Sequence, residues 1–467
     1  MGLKPATPAA MDLLMRGTVA FSRMSAAGVR VDVSYLDNAI KEVTQQVSEM
    51  EEEIRNNKVI EVWKKHYGKD MKINSRTQLG KVVFDILGFP RNPFMENNSE
   101  VAFKHLSKKL PFVGPDGPYF GLAKIKKALS TNLLGLKRET VEGFIHCSMK
   151  LFSVESYRSS CTDPNLQNQP RRNKRISEIV RSSIIPRKDH VFIEADYSAQ
   201  EVRVATCYNK DPVLIKYVTG GGDQHYDAAK DIYMLTDAEI GSIEKGHPGK
   251  DVRDIVKNKW VFPQNYGSYY LNCAPDLYEA IEEFNLRTAD GTSLFTHLKS
   301  KGIRRLGACD PNRDPVKGTF EYHVKEAEKA YWERLAVYDQ WRKDWWQLYQ
   351  NQGGVNTLSG FCMAGSFRRN QILCDPIQGS AFHCLLWSAI QIQNEMMRRK
   401  MKSMIVLQIH DSMLIDAHKS EVDDVIEITK RWAVDKVAKH YPWIIVPLNV
   451  EFELAEHNWF SKEHMAI

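Results

Sequence analysis

Apolar positions along the chain follow two different periods, which divide it into helical and sheet-forming stretches. Between residues 9 and 60, and again over 223–350, apolar residues recur mainly at helical spacing. Apolar runs of strand length occur at 191–197, 404–416 and 444–455. Because these runs lie far apart in sequence, we predict an α+β fold whose sheet is assembled from distant segments.

Two of the strand-like runs end on a carboxylate. VFIEA is followed by Asp196, and MIVLQI is followed by His410 and Asp411. Taken alone, a strand-terminal aspartate is most often the N-cap of a following helix. Two such carboxylates on neighbouring strands can instead hold a pair of divalent cations, as phosphoryl transfer by two metal ions requires. Oxygen-rich sites of that kind favour magnesium, so the two aspartates predict either helix caps or a magnesium site.

Composition restricts the class of protein more than its activity. The 467 residues are 43% hydrophobic and 26% charged, which is typical of a globular protein with several subdomains. A net charge of +6 is only a mild bias toward polyanions. The eight cysteines never form C-x-x-C, which disfavours a zinc cluster and favours reduced thiols. No apolar run approaches membrane-span length, so we predict a cytoplasmic protein that does not enter a membrane.

Short motifs spread over about 440 residues resemble those of family A DNA polymerases. DYSAQEVR (196–203) is similar to the family's D-Y-S-Q-I-E-L-R, and QIHDS (408–412) to its Q-V-H-D-E. Further similar segments are NSRTQL (74–79), RSSCTDPNLQNQP (158–170) and DPIQGSA (375–381). The resemblance implies a right-hand polymerase of α+β class, with an antiparallel sheet in the palm and helical fingers and thumb.

The resemblance also implies domain boundaries. An N-terminal segment and thumb would cover residues 1–150, the palm 151–205 and 357–467, and the fingers 206–356. Relatives carry a proofreading 3′–5′ exonuclease before the thumb, whereas here the thumb similarity begins near residue 20 with no D-x-E cluster before it. We therefore expect a polymerase without its own exonuclease, of the phage type.

The implied reaction is template-directed addition of deoxynucleotides to a primer 3′-hydroxyl, using two Mg²⁺ ions or Mn²⁺ in their place. Asp196 and Asp411 would be the catalytic, metal-binding carboxylates, and Tyr197 would offer its backbone carbonyl to one ion. Glu201 matches the acid that crowds the sugar 2′ position and so favours deoxynucleotides. Ser412 stands where the family usually has Glu, so the third acid is either dispensable or partly replaced by Glu201.

The stretch VRDIVKNKWVFPQNYG (252–267) resembles the family's nucleotide-binding fingers helix, R-x3-K-x3-F-x3-Y-G. A helix of this kind offers cations to a triphosphate and a ring to a base. The nucleotide contacts implied by the resemblance, with a histidine from DQHYDAAK upstream, are His225, Arg253, Lys257 or Lys259, Phe262 and Tyr266.

The spacing within this helix departs from the family pattern. Five residues rather than four separate Lys257 from Phe262. In a regular helix Lys257 would then lie about 140° from Phe262, and Lys259 about 60°. Pro263 has no N–H to donate to residue 259. We therefore predict a widened turn between 257 and 263, with Lys257 binding phosphate if the turn is present and Lys259 if the helix is regular.

The remaining matches concern primer–template DNA. They are the minor-groove residues Arg158, Gln378 and Gln408, His410 beside the primer terminus, and the template-backbone residues Arg368 and Arg369. The implied partners are primer–template DNA and dNTPs, and a separate exonuclease or helicase–primase is a further candidate partner. The chain itself is expected to be a monomer.

Two other functions compete with this interpretation. A single-subunit RNA polymerase has a similar shape, but Glu201 argues against it. A non-catalytic primer–template binding protein would bind DNA without extending it.

Overall fold

The computed structural model describes residues 3–91, 103, 106, 109–114, 117–171 and 173–465. The chain forms two compact units. The first comprises Met1–Glu42, Ala128–Gly222 and Leu335–Ile467, and the second comprises Val43–Lys127 and Asp223–Arg334. Within the described ranges, no helix combines the length and the apolar character needed to cross a membrane.

The strands of the described residues all belong to the first unit. They are β1 (Leu3–Pro5), β2 (Val29–Arg30), β3 (Thr140–Val141), β4 (Phe144–Ile145), β5 (Ser148–Lys150), β6 (Ser160–Thr162), β7 (His190–Tyr197), β8 (Gly354–Asn356), β9 (Phe361–Ala364), β10 (Met404–Ile409), β11 (Ser412–His418), β12 (Val450–Ala455) and β13 (Glu463–His464).

Helices occur in both units. They are α1 (Pro8–Ala27), α2 (Val33–Asn56), α3 (Lys58–Tyr67), α4 (Arg76–Gly80), α5 (Pro118–Lys127), α6 (Leu134–Glu139), α7 (Lys174–Arg181), α8 (Gln200–Asn209), α9 (Pro212–Val218), α10 (Gln224–Tyr233), α11 (Asp237–Ile240), α12 (Pro248–Val256), α13 (Phe262–Asn265), α14 (Tyr270–Glu283), α15 (Leu294–Ser300), α16 (Phe320–Arg334), α17 (Ala336–Gln352), α18 (Arg369–Arg398), α19 (Val422–Lys430) and α20 (Val437–His440). Segments of π-helix are Lys81–Ile86, Ala128–Leu133, Lys257–Val261 and Arg431–Lys436, and 3₁₀ turns are Gly68–Asp70, Pro111–Val113, Leu166–Asn168 and Lys419–Glu421.

A five-stranded antiparallel sheet in the order β10–β11–β7–β12–β13 organises the first unit. Successive side chains of β7 alternate between its faces. Ile193, Ala195 and Tyr197 point to a large apolar core that includes residues of α1 and α18. The same alternation turns Glu194 and Asp196 to the opposite face. The two acids near the end of β7 therefore lie on one face of the sheet, away from the apolar core.

The predicted α+β class is confirmed, and so is the assembly of the sheet from distant runs. The helical period over residues 9–60 hides two breaks. Gly28, with φ +68, ends α1 before β2 begins, and Asn57 separates α2 from α3 as the N-cap of α3. Strand β12 begins at Val450, later than the run from 444 suggests, and Pro447 in that run cannot donate a ladder hydrogen bond. The division into thumb, palm and fingers stays a prediction.

The described residues of the second unit are helical and carry two apolar groupings. In the stretch from 43 to 127, α3, α4 and α5 contribute to a core around the fully buried Trp63. Ser75 caps α4 by accepting a hydrogen bond from the Gln78 backbone amide. In the stretch from 223 to 334, the ring of Phe320 packs against Tyr233 and Tyr278.

Candidate active site

A sharp turn joins β7 to α8 and sets the position of two acids. Ala199 adopts a left-handed conformation with φ 50, so the chain reverses within two residues of the strand end. Arg203 holds this turn, since its guanidinium donates to the carbonyls of Ser198 (3.0 Å) and Pro447 (2.7 Å). Asp196 is therefore the last but one residue of the strand, and Glu201 lies in the first turn of the helix.

Asp411 reaches the same place from the neighbouring strand. β10 and β11 form a hairpin whose turn contains His410, with φ +52, and Asp411. Ser412 stands directly opposite Asp196 in the ladder, and the Tyr197 amide donates to the Asp411 carbonyl at 3.1 Å. The two aspartates, 215 residues apart in sequence (411 − 196), thus lie at adjacent strand ends.

Asp196 is a partly buried carboxylate that lies close to other carboxylates. Burial, and then the nearby carboxylates of Asp411 and Glu194, raise the pKa of Asp196 to about 7. Among the described residues, its Oδ1 is buried without a hydrogen-bond partner. A buried, unpaired carboxylate oxygen facing a second carboxylate is costly unless a cation lies between them.

The available donors fit a hard divalent ion. Within the described ranges, no group of three or more His, Cys, Asp or Glu side chains is arranged to hold a metal. Two carboxylates are nevertheless a sufficient protein contribution for Mg²⁺, which keeps several waters and takes phosphate oxygens from its substrate. The donor chemistry at Asp196 and Asp411 therefore fits magnesium better than zinc, which prefers nitrogen and sulfur ligands.

We expect Asp196→Asn to stabilise the ion-free protein at pH 8. The raised pKa means that the folded state binds the Asp196 proton more tightly than the unfolded state. Stability is therefore lost as pH rises from about 4 to about 7, and Asn, which carries no charge, avoids that loss. Denaturant unfolding in EDTA at pH 5 and pH 8 measures the difference, which should be larger at pH 8.

The exposed Asp423 provides a matched control for this substitution. Asp423→Asn should not stabilise the protein at pH 8, because an exposed carboxylate carries no burial penalty that its removal could relieve. An Asp196→Asn variant that is less stable than the parent at pH 8 would contradict the assigned electrostatics.

Glu201 and Arg158 lie together near the turn after β7 and the turn between β10 and β11. The Arg158 guanidinium donates to Glu201 Oε1 at 3.2 Å, with roughly a quarter of each side chain exposed. His410 is exposed, and burial of part of its ring followed by the charge of Arg158 lowers the pKa of His410. These three predicted residues are brought together, and the partial replacement of the missing acid by Glu201 stays a prediction.

Gln408 is placed differently from the other predicted DNA contacts. It is fully buried, its Nε2 donates to the His410 carbonyl at 2.8 Å, and its Oε1 accepts from Ser159 and from Gln167 Nε2. The side chain therefore braces the hairpin turn. Its direct contact with a minor groove stays a prediction, while Ser159 and Gln167 are bracing residues that sequence reasoning did not single out.

The other predicted DNA contacts lie on or beside α18. Gln378 is half-buried within this helix, whereas Arg368 and Arg369 are exposed at its start. Arg368 caps the helix together with Gln371, whose Oε1 accepts from the Arg368 amide at 3.1 Å. Exposed arginines at this position are available to a phosphate backbone, and their contact with the template stays a prediction.

Glu194 lies beside Asp196 and was not recognised in the sequence analysis. Burial alone would raise the pKa of Glu194, but Lys462, Trp459 and Arg181 together lower it, so the group is ionised. The available signal was the strand period, which puts Glu194 on the same face as Asp196. Its hydrogen-bond partners Trp459 and Lys462 come from the far C-terminal segment and could not be found from a local sequence pattern.

The predicted widened turn is present in the second unit. Residues Lys257–Val261 form a π-helix between α12 and α13, and the Phe262 amide donates to the Lys257 carbonyl five residues back. The extra residue in this turn brings Lys257 to the side of Phe262, with Nζ 5.5 Å from the ring centroid. Lys259 lies elsewhere, 4.0 Å from Glu283.

In the second unit, cationic and aromatic side chains surround Lys257. Arg253 is held by Asp223 (2.6 Å) and Asp254 (2.8 Å). Burial, and then the charge of Arg253, lower the pKa of Lys257. Phe262 has Tyr266 at 6.3 Å between ring centroids, and the ring of His225 meets it edge-on at 5.9 Å. The predicted residues other than Lys259 are thus gathered in one cluster.

His225 is held neutral in this cluster. Burial, followed by the charges of Arg253 and Lys257, lowers the pKa of His225 to about 4. Within the described ranges, its buried Nδ1 has no hydrogen-bond partner. A neutral imidazole has one donor and one acceptor nitrogen, so His225 can offer an N–H to an anion while Arg253 and Lys257 supply charge.

Comparison with known proteins places these features in a family. DNA polymerase I of Bacillus subtilis is 25% identical over 452 residues, covering 94% of this chain and 44% of that protein. The thermostable DNA polymerase I of Thermus thermophilus is 24% identical over 446 residues, covering 94% of this chain and 46% of that protein. The chain thus spans a little under half the length of these curated relatives.

A solved structure shows the same fold. The polymerase domain of Pol1 from M. smegmatis, in complex with DNA primer-template and dNTP, matches with a TM-score of 0.68 and 20% identity. The match covers 96% of this chain and 70% of that one. The family described as DNA polymerase family A matches residues 34–282 and 325–461, which is most of the sequence. The chain belongs to DNA polymerase family A.

Proposed function

We propose that this chain catalyses template-directed DNA synthesis, adding deoxynucleotides to a primer 3′-hydroxyl by phosphoryl transfer. The observation that carries the proposal is the meeting of Asp196 and Asp411 at adjacent strand ends, with one buried carboxylate oxygen that has no partner among the described residues. Similarity to DNA polymerase I over 94% of the chain supports the same activity.

Asp196 and Asp411 would hold the divalent ions, with the Tyr197 backbone carbonyl as a further donor. Two bound Mg²⁺ ions, or Mn²⁺, supply activation of the attacking hydroxyl and stabilisation of the leaving oxygens. The Tyr197 side chain supports this arrangement from the core, since its hydroxyl donates to the Ala433 carbonyl at 2.8 Å. Burial of that ring fixes the strand end that carries Asp196.

Residues around the two carboxylates would select the sugar and hold the primer terminus. Glu201, tied to Arg158 at 3.2 Å, has a fixed carboxylate that would exclude a ribose 2′-hydroxyl. Arg158 and Gln378 would test the minor groove, where every base pair presents an acceptor at the same place. His410, exposed on the hairpin turn that Gln408 braces, would lie beside the primer end, and Arg368 and Arg369 would contact the template backbone.

The cation cluster of the second unit would bind a triphosphate. Arg253 and Lys257 supply charge, His225 an N–H, and Phe262 and Tyr266 a surface for the base. Lys257 rather than Lys259 takes the phosphate-binding role in this proposal, because the π-helical turn brings it beside Phe262 while Lys259 approaches Glu283. Like-charged groups packed this closely are stabilised by a bound polyanion.

The proposed partners are primer–template DNA and dNTPs, which the M. smegmatis polymerase domain binds in its solved complex. A bacterial or phage-infected cytosol is the proposed setting, supported by the bacterial origin of the relatives.

Primer extension tests the proposal. The purified chain, a labelled primer annealed to a longer DNA template, Mg²⁺ and dNTPs should give products that end at the template terminus. Ribonucleotides in place of dNTPs should give little extension. Binding of the primer–template without any extension would instead identify a non-catalytic DNA-binding protein, and extension with ribonucleotides alone would identify an RNA polymerase.

A further inference from the structure

Glu194 shares a strand face with Asp196 and lies beside Ser412, the residue that departs from the family motif. Side chains two residues apart on a strand point to the same face, and so do directly paired residues on neighbouring strands. Ser412 is paired with Asp196, and Glu453 is paired with Glu194. These positions therefore form one patch on the side of the sheet opposite the apolar core.

Both oxygens of the Glu194 carboxylate have assigned partners. The residue is only 4% exposed, and a charge at that depth requires hydrogen bonds to remain ionised. Its Oε2 accepts from Trp459 Nε1 at 2.9 Å and from Lys462 Nζ at 2.8 Å. Its Oε1 faces the Ser412 hydroxyl at 3.3 Å. One end of the carboxylate is thus anchored by the C-terminal segment, and the other points to the hairpin turn.

The Ser412 hydroxyl links Glu194 to the turn that carries Asp411. It lies within hydrogen-bond distance of both Glu194 Oε1 and the Ile409 carbonyl, the latter at 3.1 Å. Ile409 and Ser412 are the last paired residues on either side of the turn. A hydroxyl has one proton to donate, so the Ser412 hydroxyl is shared between the Ile409 carbonyl, across a turn of two residues, and the Glu194 carboxylate on the neighbouring strand.

We propose that Glu194 is a positioning residue of the metal site, in which the acid that the family usually carries at the position of Ser412 has moved to the neighbouring strand. Glu194 would hold the turn, and with it Asp411, and would add negative charge beside the bound ions. This inference rests on the proposed function, because it concerns the same two aspartates. Partners one step removed from the ligands commonly change metal affinity by roughly 10- to 100-fold when they are replaced.

The test compares Glu194→Gln with Glu453→Gln. Both substitutions remove one carboxylate from Lys462, but only Glu194 touches Ser412. Loss of the electron paramagnetic resonance signal of free Mn²⁺ measures its binding to the protein–primer–template complex. The Mn²⁺ affinity should fall about tenfold in Glu194→Gln. The Mg²⁺ concentration that half-saturates primer extension should rise by a similar factor. Glu453→Gln should match the parent in both measurements.

Equal ion binding by the parent and Glu194→Gln would overturn the proposal. Ser412→Ala keeps the Glu194 carboxylate and removes its link to the turn, so it should also weaken ion binding. This variant tests the proposal if Glu194→Gln does not fold. The double variant Glu194→Gln with Ser412→Glu should restore ion binding. If it binds Mn²⁺ no more tightly than Glu194→Gln alone, the acid at position 194 does not replace the family's acid at position 412.

Failure of this inference is distinct from failure of the proposed function. If the parent protein does not extend primers, the function is wrong. The Mn²⁺ comparison does not require turnover, and it still decides whether Glu194 positions the ion site.

Discussion

Asp411→Asn is expected to lower the rate of primer extension by about 1,000-fold, and Asp196→Asn by a similar factor. Either substitution removes one of the two carboxylates that meet at the ends of β7 and the β10–β11 turn. Metal ions contribute several kcal/mol of transition-state stabilisation in phosphoryl transfer, and about 4 kcal/mol corresponds to roughly 1,000-fold in rate. Single-turnover extension at saturating dNTP measures the chemical step.

The same variants should bind primer–template DNA about as tightly as the parent. Affinity for DNA comes mainly from cationic contacts with phosphates, which these substitutions leave in place. Fluorescence anisotropy with a labelled duplex provides that comparison, and Asp423→Asn is the matched exposed control for activity. Extension by Asp411→Asn within tenfold of the parent would show that the two aspartates are not the catalytic pair.

The meeting of Asp196 and Asp411 was predictable because each signal is local. A strand period ending on an acid can be recognised within eight residues, and the family motifs supply the pairing of two such runs. The π-helical turn was predictable for a similar reason. One inserted residue between Lys257 and Phe262, followed by Pro263, leaves few ways to keep both side chains on one helix face.

What the sequence did not reveal depends on contacts between distant segments. Glu194 has a charged side chain at a buried strand position, and its stability there depends on Trp459 and Lys462, more than 260 residues later. Gln408 matched a DNA-contacting residue, yet Ser159 and Gln167 enclose it. Neither strand register nor the packing of a C-terminal segment follows from local periodicity, so such partners appear only in three dimensions.

The orientation of Lys257 has a further consequence for binding of the nucleotide. Among the described residues, Lys257 has no ion-pair partner within 4.0 Å, whereas Arg253 is paired with Asp223 and Asp254. Burial and the charge of Arg253 lower the pKa of Lys257, which means that its protonated form is not fully compensated in the free protein. A triphosphate would supply the missing negative charge.

Lys257→Ala is therefore expected to lower kcat/KM for dNTP incorporation by about 10- to 100-fold, since a charged hydrogen bond contributes about 1.5–3 kcal/mol. Lys259→Ala is the matched control, because it removes the same charge two residues away, on a side chain that faces Glu283. It should change kcat/KM by less than about threefold, because its ion pair with Glu283 is long, at 4.0 Å, and partly open to solvent. Steady-state single-nucleotide incorporation with each variant measures the difference. If Lys259→Ala were the more damaging substitution, the widened turn would not direct Lys257 to the triphosphate, and the regular-helix alternative would be correct for the nucleotide-bound protein.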